Sequence, residues 1–133
     1  MLVDTGPLVA LFDKQDEHHL GCKKALSRIS EKLVTTWPVL TEAFYFLNES
    51  QKSQELLMHF VLSDVVEVYG ESKILTRMSQ LMETYQDLSM DFADASLVAL
   101  AEEQSIEKIF TLDLKDFRIY RPKHIKHFNI CPL

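Results

Sequence analysis

A chain of 133 residues, 47% hydrophobic and 26% charged, is long enough to bury one core and too short for two ordinary domains. Its apolar runs, Leu8–Phe12 and Ala43–Leu47 among them, fall far short of the roughly 20 residues a membrane span needs, and no basic stretch leads into an apolar run at the start, so neither a membrane protein nor a signal peptide is expected. Two cysteines, Cys22 and Cys131, lie far apart without CxxC spacing, which excludes a disulfide scaffold and a zinc site and suits the reducing cytoplasm.

Met1–Asp4 begins apolar and ends on an acid, as a short buried strand interrupted by Gly6 and Pro7. Leu8–Phe12 reads as a first helical turn after that break. Asp16 is placed to cap a helix through Leu20, Ala25, Leu26 and Ile29. Lys32–Thr35 reads as a second strand, and Thr36 as the N-cap of a helix that has Pro38 in its first turn and runs to Asn48. Gln51–Leu62 is helical, Val65–Tyr69 β-rich, and Glu71–Tyr85 helical, with Ile74, Leu75, Met78, Leu81 and Met82 on one face. Asp91 begins a helix through Leu97, Val98, Leu100 and Ala101, and Ile109–Leu112 is the last clear strand before Asp113. Strands alternating with helices imply a single α/β domain over residues 1–133, with a parallel sheet covered on both faces. Three glycines in the whole chain exclude a glycine-rich phosphate cradle.

The net charge of −6 argues against a nucleic-acid partner until its distribution is considered. From residue 114 onward five bases (Lys115, Arg118, Arg121, Lys123, Lys126) face one acid, Asp116, for +4; the preceding 113 residues carry 9 bases and 19 acids, for −10. Phe117, Tyr120 and Phe128 are interleaved with these bases, a mixture suited to holding a phosphate backbone and stacking bases, or to a solvated edge.

In an open parallel sheet, function gathers at the carboxyl ends of the strands. Asp4 ends the first strand, Asp113 the last, Asp94 lies in the first turn of a helix, and Glu42 sits one to two turns into the helix after the second strand. Singly, each acid has a structural explanation as a helix cap, a turn former or part of a solvated face. Jointly, carboxylates at one edge repel one another, and a hard cation is the usual means of keeping them ionised together. No histidine or cysteine falls at these positions, which points to Mg²⁺ or Mn²⁺ rather than zinc.

Four segments, LVDTGPLVAL at 2–11, LTEAFYFL at 40–47, MDFADASLVALAEE at 90–103 and FTLDLKDF at 110–117, resemble those of the PIN-domain family in order and spacing, particularly the VapC-like toxin ribonucleases of toxin–antitoxin pairs. The resemblance implies a three-layer α/β/α fold with a central, mainly parallel sheet and an acidic pocket that binds Mg²⁺ or Mn²⁺. Carried over position by position, it makes Asp4, Glu42, Asp94 and Asp113 catalytic, with Asp4, Asp94 and Asp113 holding metal. Thr111 matches a supporting hydroxyl position, and Asp91 and Asp116 are auxiliary acids. Gly6 stands where many relatives have asparagine, a departure that removes none of the acids. The expected substrate is RNA, with Lys115, Arg118 and Arg121 holding flanking phosphates. The expected partners are a cognate antitoxin protein and a second copy of the chain in a homodimer. A PIN-like module that binds RNA or protein without cutting is the rival reading, against which the four intact acids argue. A haloacid dehalogenase-like phosphatase would need a second acid two residues after Asp4, and a response-regulator receiver an aspartate after a middle strand; neither is present.

Overall fold

In a computed structural model, residues 1–132 are described. Five strands form one sheet: β1 (Leu2–Val3), β2 (Leu33–Thr36), β3 (Val66–Tyr69), β4 (Lys108–Phe110) and β5 (Asn129–Cys131). Every pairing is parallel and the order is β3-β2-β1-β4-β5. The helices are α1 (Thr5–Phe12), α2 (His19–Arg28), α3 (Trp37–Phe46), α4 (Gln51–Leu62), α5 (Leu75–Thr84), α6 (Phe92–Gln104) and α7 (Leu114–Ile119), with short 3₁₀ turns at Ser72–Ile74 and Gln86–Leu88. None of the helices described is long and apolar enough to cross a membrane.

The strand order dictates where a site can form. The chain winds outward from β1 to β2 to β3, then returns past the centre to β4 and on to β5. Right-handed crossovers put the helices of the two halves on opposite faces, making three layers. The direction reverses between β1 and β4, and the loops leaving those two strands diverge there to open a crevice.

Local chemistry accounts for most element boundaries. Thr36 caps α3 by accepting from the Val39 amide, with Pro38 in the first turn, and Ser50 caps α4 by accepting from the Ser53 amide. β1 and β2 are buried throughout, as strands covered on both faces should be. α6 is buried from Ala95 to Ala101, and its small residues let neighbouring elements pack closely. A two-pronged ion pair from Arg77 to Glu102 (2.7 and 3.0 Å) ties α5 to α6.

Three expectations need correction. Gly6 and Pro7 do not break the chain: α1 starts at Thr5 with Asp4 as its N-cap, and Pro7 falls in the first turn, where its missing amide costs nothing. Ile109–Leu112 is not the last strand, because Asn129–Cys131 pairs with β4 in parallel as an edge strand. The aromatics among the C-terminal bases do not form a stacking surface. Phe117, Tyr120 and Phe128 are buried and pack on one another, with Phe117–Tyr120 ring centroids 5.1 Å and Phe117–Phe128 centroids 5.8 Å apart.

Candidate metal and catalytic site

Each acid at the crevice is fixed by the turn it sits in. Asp4, directly after β1, accepts the Thr5 amide on Oδ1 (2.8 Å) and the Thr111 hydroxyl on Oδ2 (2.7 Å), and is only 8% exposed. Burial pushes its pKa up from 3.8 to about 6, those two hydrogen bonds oppose the rise, and Asp113 and Glu42 add to it. Thr111, wholly buried just beyond β4, also accepts the Asp113 amide (3.0 Å), so one hydroxyl couples the loops leaving β1 and β4.

Asp94 lies in the first turn of α6, whose N-cap Asp91 accepts the Asp94 amide at 2.8 Å. Its own Oδ2 accepts the hydroxyl of Tyr120 (2.8 Å). Burial first, and then the neighbouring charge of Asp91, push Asp94 from 3.8 to about 8, with Asp4 and Asp113 contributing further. The Tyr120 phenol is raised in turn, by burial and then by Asp94. Asp113 caps α7 by accepting the Asp116 amide (3.0 Å), and burial followed by Asp113 raises Asp116. Glu42 points back from α3 to accept the Thr5 hydroxyl (2.7 Å); burial raises it, Thr5 opposes, and Asp91 adds to the rise.

Asp94, Asp113 and Asp116 each offer a carboxylate oxygen, and these oxygens lie within 4.8 Å of one another. The structure therefore groups Asp116, read from the sequence only as auxiliary, with two of the principal acids. Asp4 stands just behind, its oxygens already engaged by Thr5 and Thr111. Glu42 and Asp91 lie at the rim, close enough to repel each other, and the charge of Asp91 also acts on Asp94 and Asp116. All-oxygen donors fit a hard divalent cation, whose charge would offset the burial and the mutual repulsion that raise Asp4, Glu42, Asp94 and Asp116.

Two residues at the site escaped the sequence. Thr5 had a signal in its position beside Asp4, whereas Tyr120 had none, since it reaches Asp94 from 26 residues away. The three bases expected to hold phosphates, Lys115, Arg118 and Arg121, are all exposed. The Nη1 of Arg121 donates to the carbonyls of Arg118, Ile119 (3.0 Å) and Tyr120 (3.1 Å), closing the C-terminal end of α7.

Comparison with known proteins identifies the fold. The PIN domain family model matches residues 1–121. The chain is 25% identical over 136 residues to "Ribonuclease VapC26" of Mycobacterium tuberculosis, covering 99% of this chain and all of that one. Among solved structures, VapC20 of M. tuberculosis, described as a sarcin–ricin loop cleaving toxin, superposes with a TM-score of 0.74 at 21% identity, covering 81% of this chain and 85% of the other. A toxin–antitoxin complex from Klebsiella pneumoniae gives 0.66 at 22% identity, covering 87% and 88%. VapBC2 from Rickettsia felis, bound to a promoter DNA fragment, gives 0.66 at 16%, covering 97% and 96%.

Proposed function

The chain belongs to the PIN-domain family, and from that premise we propose that it is a metal-dependent endoribonuclease, acting in the cytoplasm as the toxin of a toxin–antitoxin pair. The observation that carries this reading is the convergence of Asp94, Asp113 and Asp116 within 4.8 Å, at the point where the sheet reverses direction. The ribonuclease name of the relative aligned along the whole chain supports RNA as substrate, and the toxin–antitoxin assemblies among the fold's neighbours support an antitoxin partner. A homodimer of single-domain protomers completes the proposed assembly.

Asp94, Asp113 and Asp116 would hold Mg²⁺ or Mn²⁺, with Asp4 supporting them from behind. When bound, the cation polarises water and offsets the phosphate charge that a bare acidic pocket would repel. Hydrolysis adds water across a P–O bond, so the attacking oxygen must lose a proton while the leaving oxygen gains one. Glu42, steadied by the Thr5 hydroxyl on Oε1, is assigned to orient that water and take its proton on Oε2. Thr111 holds Asp4 and the Asp113 loop in register. Tyr120 keeps Oδ2 of Asp94 turned toward the α7 side of the pocket. Lys115 and Arg118 are assigned to the flanking phosphates.

The test is RNA cleavage by the purified chain beside Asp94→Asn and Asp113→Asn, together with growth arrest on expression and its relief by the product of an adjacent gene. A chain that leaves RNA intact with Mg²⁺ and with Mn²⁺ would favour the non-cleaving alternative.

A further inference from the structure

Beside the acid cluster lies a cavity of about 660 Å³ that the proposed chemistry leaves unused. Glu42 and Asp91, on the rim of the acid site, also line this cavity, so the two are continuous. Its other walls come from the same sheet edge. Trp37 follows Thr36, the N-cap of α3, and Phe92 follows Asp91, the N-cap of α6. Both rings are half exposed, Trp37 by 57% and Phe92 by 49%.

The Trp37 ring is held in place. A Cβ added to Gly70, just beyond β3, would fall 2.1 Å from Cδ1 and 2.2 Å from Nε1 of the indole, so the ring rests on bare backbone that no other residue would leave open. Tyr69 also lines the cavity, and its hydroxyl is enclosed without a hydrogen-bond partner among the described residues.

We propose that this cavity is a subsite for an unpaired base of the RNA strand, held against the Trp37 and Phe92 rings next to the nucleotide whose phosphate lies on the acid cluster. This rests on the ribonuclease reading and deepens it, because it names the residues that hold a base of the strand apart from its phosphate. Flat aromatic faces accept any base, so the subsite holds the strand without reading its sequence. Phosphate recognition is excluded here, since the rim is acidic.

Trp37 is the only tryptophan of the chain, so its emission reports on the subsite directly. A short single-stranded oligoribonucleotide is titrated into the full-length protein under Ca²⁺, and binding is followed separately by anisotropy of a label on the RNA. Quenching of Trp37 that saturates with binding is expected, with none from an abasic oligomer of the same length. Phe92→Ala, which retains the tryptophan, should weaken binding of the base-bearing oligomer about 5- to 150-fold, the range expected when one stacked ring is removed. RNA that binds with Trp37 emission unchanged, or an abasic strand that quenches equally, overturns the subsite. So does emission that depends on protein concentration alone and ignores RNA, which would assign the cavity to a second copy of the chain. Cleavage in Mg²⁺ without quenching refutes this inference and leaves the nuclease reading standing; quenching without cleavage in Mg²⁺ or Mn²⁺ does the reverse.

Discussion

The hydroxyl of Tyr120 is donated at 2.8 Å to the carboxylate of Asp94, joining the end of α7 to the first turn of α6. The ring is buried edge-on between Tyr85 and Phe117, with centroids 5.1 Å from each, so it cannot follow the carboxylate if that group turns away. Tyr120→Phe retains this packing and deletes one donor. Removal of such an outer partner of a metal-holding group commonly costs about 10- to 100-fold in metal affinity or activity. A loss in that range, with the melting temperature lowered by no more than a few degrees, is expected. Metal titration beside single-turnover cleavage checks it, and wild-type values in both would remove Tyr120 from the site.

Asp4→Asn, Asp94→Asn and Asp113→Asn should each abolish cleavage and leave the fold intact. Asparagine keeps an oxygen for the helix-cap bonds of Asp4 and Asp113 and for the Tyr120 bond of Asp94, and gives up the Thr111 bond of Asp4, while removing a charge from a crowded pocket. Cleavage and circular dichroism on each purified variant decide the matter residue by residue.

The raised acids also predict how stability varies with pH. Asp4 at about 6 and Asp94 at about 8 both lie above 3.8. Between pH 4 and those values the folded chain binds more protons than the unfolded one, so rising pH favours unfolding. Without metal, the contribution of these two groups is most favourable near pH 4 and is lost progressively up to about pH 8. Asp94→Asn should flatten the upper part of that slope, and Mg²⁺ should raise the melting temperature more at pH 8 than at pH 5. Thermal melts across pH, with and without metal, are the measurement; an identical slope in the variant would remove Asp94 as its source.

Cleavage should stop in EDTA and return with Mg²⁺ or Mn²⁺, whereas Ca²⁺ should support it poorly because its looser coordination misplaces the reacting groups. Undiminished cleavage in excess chelator would point to a contaminating ribonuclease.

The basic segment separates binding from chemistry. Lys115, Arg118 and Arg121 are all exposed, but the Arg121 guanidinium is also engaged at the end of α7. Lys115→Ala with Arg118→Ala should weaken RNA binding and flatten its log–log salt slope by about 0.7 for each phosphate no longer neutralised. The rate at saturating RNA should change little. Adding Arg121→Ala should lower the melting temperature more than it alters the slope.

How far the sequence disclosed this arrangement depended on the range of the forces involved. α4 is legible to the residue, because a serine cap and an apolar stripe are local signals. The acids at the β1–β4 crevice were legible through strand alternation and a resemblance spread over four segments. β5 was not, since three residues at a sheet edge carry no period. Phe117, Tyr120 and Phe128 were misread because their partners are one another, across turns the sequence does not show. Tyr120 reaches Asp94 and Thr111 reaches Asp4 across separations of 26 and 107 residues, which only the closed sheet brings together.

Asp4, Asp91 and Asp113 open α1, α6 and α7 as N-caps while lining the pocket. Inactivation by drift therefore has an uneven landscape. A change to alanine strips a helix of its cap, at about 1 kcal/mol, as well as removing an acid, so it erodes abundance along with activity. A change to asparagine exchanges one oxygen for an amide nitrogen and leaves the helix start almost intact. Silenced descendants of such a chain should accumulate asparagine at these positions first, and should persist as folded proteins able to compete for the same partners.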